Sequence, residues 1–137
     1  LVKAKAENKL IFMDGYTSWC GPCKYMSEKV FTQEKAGEYF NPKFICVKFD
    51  MEKGEGPALA KRFEVKAYPT FLIIRPDGSV QHKIVGGGEV EDFISRVEKG
   101  LNEKTSLGYL DKLHEKGKMS KKQLPYLMLT RRRKVQK

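Results

Sequence analysis

Cys20 and Cys23 stand three positions apart in the run Trp19-Cys20-Gly21-Pro22-Cys23-Lys24. Two thiols at that spacing form a dithiol–disulfide couple. A thiolate at Cys20 attacks a disulfide, and Cys23 then displaces the product thiol and closes an internal bridge. The Gly21-Pro22 spacer is short enough to keep the two sulfurs within bridging reach. The competing chemistry is half of a zinc site. Zinc takes four ligands, yet only Cys46, His82 and His114 remain as soft candidates and no second cysteine pair follows, so no metal is expected. Asp14 ends the apolar run Leu10-Ile11-Phe12-Met13, six residues before Cys20. An acid in that place is expected to be buried, which raises its pKa. A carboxyl titrating near neutrality takes the proton from Cys23 through water as the resolving thiol attacks. The alternative is a solvent-facing strand end. Trp19 offers a flat apolar shoulder to a substrate or packs partly into the core, and the two readings are compatible.

These residues need a strand and a helix to place them. Leu10 to Asp14 reads as a strand covered on both faces. Gly15 to Ser18 forms the loop that presents Trp19 and Cys20, and Met26, Val30 and Phe31 recur at helical spacing up to about residue 31. The cysteines therefore fall where a strand turns into a helix N-terminus, and unpaired N–H groups and the helix dipole favour an anion there. Cys20 is expected to be exposed at the helix tip and Cys23 to be more buried, one turn in. Thr32 is expected to cap a second helix ending near Phe40, with Asn41-Pro42 as its stop. Phe44 to Phe49 reads as a second buried strand, with Cys46 an inert core thiol. After a loop over 51–56, Pro57 opens a helix through Phe63. Strand, helix, strand, helix argues for parallel pairing. Phe71 to Ile74 and Ser79 to Val85 flank Pro76-Asp77-Gly78, the signal of an antiparallel hairpin. Val90, Phe93, Ile94 and Val97 share one face of a last helix, which Gly100 is expected to end.

At these residues the chain resembles the thioredoxin superfamily. The WCGPCK hexapeptide, Asp14 upstream of it, Tyr68-Pro69-Thr70 before an apolar strand, Lys48, and the glycine turn at Val85-Gly86-Gly87 all match that family in order. The resemblance covers roughly residues 1 to 100. It implies an α/β thioredoxin fold, with a mixed central sheet of a parallel βαβ unit plus an antiparallel hairpin, flanked by helices. It implies Cys20 and Cys23 as the catalytic pair with Gly21 and Pro22 between them, and Asp14 as the buried acid. It implies a cis bond at Pro69, which would set the Tyr68 backbone beside Cys20 to pair with a substrate strand. Thr70 completes that substrate loop. Lys48 is implied to lie on a central strand and tune Asp14; read from its own strand alone, it is a solvated residue. Thioredoxin-type motifs have an attacking thiol with a pKa of ~7 and a reducing potential of about −270 mV. The chain departs from thioredoxin at Glu28, where that family carries a helix-kinking proline. The helix pattern there is more similar to the thioredoxin-like domains of bacterial envelope reductases.

The implied activity is thiol–disulfide exchange, mainly the reduction of protein disulfides, with an upstream protein donor supplying electrons and no cofactor beyond the Cys20–Cys23 disulfide. A monomer is expected. The expected compartment is the bacterial periplasm or another extracytoplasmic site, with the cytoplasm as the alternative. The chain opens on Leu1 rather than Met, as a processed or excised piece of a longer product would.

Charge divides the chain. Residues 1–100 carry 16 Lys and Arg against 14 Asp and Glu, a net of +2, whereas residues 101–137 carry 11 against 3, a net of +8. The boundary near residue 100 is therefore expected to separate a near-neutral redox domain, 1–100, from residues 101–137, a basic helical extension or the start of a truncated C-terminal region. The second function class is a binding module using Arg131-Arg132-Arg133-Lys134 on an acidic partner. That run lacks the interleaved aromatics of a base-stacking surface, so no nucleic acid is expected. No apolar run approaches the ~18 to 20 residues of a membrane span.

Overall fold

The computed structural model describes residues 2–102. In chain order the elements are α1 (Val2–Glu7), β1 (Leu10–Tyr16), α2 (Gly21–Tyr25, continued by a π-helical turn over Met26–Val30), α3 (Glu34–Lys43), β2 (Phe44–Asp50), α4 (Gly56–Arg62), β3 (Thr70–Ile74), β4 (Val80–Val85) and α5 (Val90–Leu101). The strands form one sheet in the order β2-β1-β3-β4. β1 and β2 run parallel, while β1–β3 and β3–β4 are antiparallel. The parallel βαβ unit and the antiparallel hairpin are thus both present, and they share one mixed sheet.

Strand alternation splits the interior into two layers. Ile11 and Met13 of β1 face Ala4, Met51, Val65, Leu72 and Ile74. Phe12 faces the opposite way, into Met26, Val30, Phe40, Phe44, Phe71, Phe93 and Val97. Phe12 is the hub of this second layer, with ring contacts to Phe31, Phe40, Phe44, Phe71 and Phe93 at 4.7 to 6.3 Å. Its removal would cost about 3 to 5 kcal/mol, as for other buried phenylalanines. Asp14 lies two residues beyond Phe12 and so shares its face. Met26 and Val30, which follow α2, pack on that same face against Phe12.

Five expectations need correction. The helix after Cys23 is not regular: its backbone widens into the π turn, with Phe31 N–H donating to Met26 C=O at 2.8 Å. Thr32 does not cap α3; its hydroxyl donates back to Glu28 C=O at 2.7 Å, the local side-chain bond that competes with capping. The cap position is Gln33. Pro42 does not stop α3 but sits in its last turn, where a missing N–H forfeits little, and Phe44 N–H closes the helix on Phe40 C=O. Gly100 does not end α5. It is buried within the helix because a Cβ there would lie 2.6 Å from the His82 ring, and α5 runs on to Leu101. His82 is accordingly buried, and burial pushes its pKa down to about 4. Finally, β2 is not a doubly paired central strand. It is an edge of the described sheet, and Cys46 and Lys48 on it are exposed. An apolar run in sequence cannot show whether both of its backbone edges are paired. Beyond Asn102, the extension expected over 101–137, His114 and the basic run lie outside the described residues.

Candidate active site

Cys20 and Cys23 are joined in a disulfide, with Cα atoms 5.2 Å apart. Cys20 is extended and serves as the N-cap of α2, and Pro22 lies in the first turn, where its lack of an N–H costs nothing. Cys20 Sγ accepts the backbone N–H of Cys23 at 3.1 Å. The expected contrast in exposure is absent in this form: Cys20 is 3% exposed and Cys23 6%. Closing the bridge turns each sulfur toward the other and away from solvent. The asymmetry lies instead in the backbone, since Cys20 caps the helix and Cys23 is within it. Gly21 borders open space: a Cβ there would meet nothing within 4 Å.

Asp14 is largely buried, and burial raises its pKa from 3.8 to about 6, with Lys48 pulling the other way. Its Oδ1 has no hydrogen-bond partner among the described residues. A cavity of about 250 Å³ reaches it, lined also by Phe12, Phe31, Cys46 and Lys48. That volume takes several waters, each able to relay a proton to a carboxyl. Lys48 sits directly across from Asp14 in the β1–β2 register. Its Nζ lies 5.0 Å over the Tyr16 ring, so it neighbours the acid while remaining solvated.

Trp19 is 64% exposed. Its indole N–H donates to Glu52 at 2.8 Å, and its ring stands edge-on to Tyr68 at 5.8 Å and 89°. Trp19 is therefore not packed into the core. The Tyr68–Pro69 peptide is cis. Pro69 C=O accepts from Gly86 N–H at 2.8 Å, and the buried Thr70 hydroxyl donates to Ala67 C=O at 2.6 Å, closing the loop on itself. Glu52 escaped the sequence reading. The available signal was its place just after a parallel strand, at the carboxyl end where sites of α/β sheets gather. Cys46 is a free, exposed thiol whose pKa is raised by partial burial, so it is accessible but poorly ionised. Among the described residues no group of three or more His, Cys, Asp or Glu is placed to hold a metal.

A mixed sheet of this order with a Cys-Gly-Pro-Cys disulfide capping the helix that follows its first strand defines the thioredoxin class of redox folds. The sequence model of the Thioredoxin family matches residues 2–99, and the chain belongs to that family. It is 33% identical over 93 residues to thioredoxin Y of rice chloroplasts, covering 68% of this chain and 52% of that protein. The chain thus spans about half the length of such chloroplast relatives. A solved structure of a proposed disulphide-isomerase from Bacteroides thetaiotaomicron is 42% identical, with a TM-score of 0.67 over 74% of this chain and 84% of that one. The oxidised C-terminal domain of DsbD from Neisseria meningitidis, at 24% identity and a TM-score of 0.61 over 72% and 87% of the two chains, shares the fold.

Proposed function

We propose that this chain is a thiol–disulfide oxidoreductase that works mainly by reducing protein disulfides. In the reduced protein, Cys20 thiolate attacks one sulfur of a substrate disulfide. A mixed disulfide forms and the first substrate thiolate leaves. Cys23 then gives its proton toward Asp14 through water and attacks Cys20 Sγ. The internal disulfide closes and the second substrate thiolate departs. The substrate gains two electrons and the Cys20–Cys23 pair loses two, which a dithiol donor must restore. Trp19 and Tyr68 form the substrate face, the buried Pro69 and Thr70 hold its loop in shape from beneath, and the Tyr68 backbone pairs with an extended substrate segment. Lys48 moderates the shift of Asp14, and Gly21 and Pro22 keep the thiols at bridging distance.

The observation that carries this reading is the Cys20–Cys23 bridge with the Cys23 N–H on Cys20 Sγ, together with an acid on the preceding strand β1 shifted to about 6. The test is reduction of insulin disulfides with dithiothreitol as electron source. Activity well above that of a Cys20→Ser, Cys23→Ser double variant is expected, and equal activity would sink the reading. The reading extends to an extracytoplasmic, periplasm-like compartment, supported by the helix that departs from thioredoxin at Glu28. Fractionation of cells carrying the full gene product checks it, and recovery with cytosolic markers would reject it. A monomer is the expected state, to be read by light scattering. Residues 101–137 are assigned as a separate basic extension, which limited proteolysis near residue 102 would release.

A further inference from the structure

The turn between β4 and α5 is three glycines in a row, and each meets a different constraint. Gly86 has a φ of +89°, a conformation that strains any side chain. A Cβ on Gly87 would lie 2.6 Å from Met26 Sδ, and one on Gly88 would lie 2.9 Å from Arg96 Nη2. Gly86 N–H donates to Pro69 C=O at 2.8 Å, and Gly88 N–H donates to Met26 Sδ at 3.4 Å. The Tyr25 hydroxyl donates to Glu89 at the far end of the turn. The turn is therefore pressed between the cis-proline loop and the helix just past Cys23. Arg96 of α5 closes it from behind: Nη1 donates to Gly86 C=O at 3.2 Å and Nη2 to Gly87 C=O at 2.6 Å. The Arg96 side chain is only 16% exposed and lies over the Phe93 ring at 5.3 Å. A planar fork spanning two successive carbonyls is a geometry that arginine supplies and lysine does not.

We propose that Arg96 is a positioning residue for protein substrates, holding the Gly86–Gly88 turn, and through the Gly86–Pro69 bond the cis-proline loop, in the shape a substrate strand meets. The inference rests on the oxidoreductase reading. A three-glycine turn has the greatest backbone freedom to lose. Ordering it before the substrate arrives removes that cost from binding. The bonds of Arg96 to the turn go to backbone carbonyls and not to a cysteine, so its effect falls on capture of a folded or extended polypeptide and not on the thiol chemistry.

The test compares two disulfides in single turnover, using pre-reduced protein in a Cys46→Ser background so that only the Cys20–Cys23 pair reacts. One is insulin; the other is the small aromatic disulfide dithiobis(nitrobenzoate). In Arg96→Met the insulin concentration giving half the maximal rate is expected to rise about tenfold, the scale of a lost charge-assisted hydrogen-bond pair. The maximal rate and the rate constant with the small disulfide are expected to stay within about twofold of the parent, and Arg96→Lys, which keeps one donor point, to recover part of the loss. Unchanged insulin saturation in a folded Arg96→Met protein overturns the proposal, as does an equal loss toward both disulfides. If Arg96→Met does not unfold cooperatively, Arg96→Lys decides: raised half-saturation supports the proposal and parental half-saturation rejects it. A parent protein that reduces neither disulfide overturns the oxidoreductase reading instead.

Discussion

Cys23 sits in the helix α2 and Cys46 on the edge strand β2, and their surroundings give them opposite chemistry. Cys23 has a partner sulfur within bridging reach and a backbone N–H directed at that sulfur, and Asp14 lies on β1, the strand that leads into its helix. Cys46 is more accessible than either bridged cysteine, but its hydrogen-bonding contacts among the described residues are weak ones at 4.0 Å to the carbonyls of Phe40 and Phe44, and partial burial raises its pKa. Accessibility alone does not make a thiol reactive. What matters is a group that stabilises the thiolate and a second group that takes the proton.

The strongest way to break this comparison is to remove the pair. Cys20→Ser is expected to lower insulin reduction by about 10⁴-fold, the scale seen when a nucleophile is deleted. Cys23→Ser should trap mixed disulfides on a non-reducing gel, and Cys20→Ser should trap none. Trapping by Cys20→Ser would reverse the assigned roles.

Asp14 gives the next effect. Asp14→Asn should slow release of the mixed disulfide by about a hundredfold at pH 7, the contribution of a positioned proton acceptor, while sparing the first attack. Stability must move the other way. Asp14 holds its proton to about pH 6 in the fold but only to 3.8 when unfolded. The folded state therefore binds the extra proton between about pH 4 and 6, so stability is highest below that window and falls as pH rises through it, by about 3 kcal/mol in all. Asp14→Asn should be more stable than the parent at pH 8 by a similar amount, and equal to it near pH 3. Urea melts at the two pH values check this, and a parent whose stability rises between pH 4 and 6 would contradict it.

Trp19→Phe keeps a flat ring and loses the bond to Glu52. Half-saturation with insulin should rise about two- to fivefold, the worth of one exposed hydrogen bond. The smallest effect sharpens the comparison from the other side: Cys46→Ser should change activity by less than about twofold, as for a surface substitution away from the site. In the reduced parent, limiting iodoacetamide at pH 7 should label Cys20 first. Cys46 should gain label only as pH rises toward thiol ionisation, a profile that mass spectrometry of the alkylated peptides resolves.

The pair, the acid and the order of strands and helices were legible in the sequence because each rests on short-range pattern: a three-residue spacing, an acid ending an apolar run, alternation and helical periodicity. Phe12 and Asp14 share a face by simple strand geometry, and that alone brings the acid to the layer that α2 covers. The remaining features depend on contacts between residues far apart in the chain. Glu52 meets Trp19 across 33 positions and Met26 meets Gly88 across 62. Gly100 reads locally as a helix stop, but the His82 ring packed against it makes it an interior position. The run Phe44 to Phe49 reads as buried, but pairing on one side only leaves Cys46 and Lys48 at the surface. The π turn and the clamp of Arg96 on Gly86 and Gly87 likewise arise from how α2, β4 and α5 meet. Spacing along the chain determined which groups react. Only the packing of distant segments decided what holds those groups in place, because backbone partners and the room left for a side chain are set by neighbours that local sequence does not name.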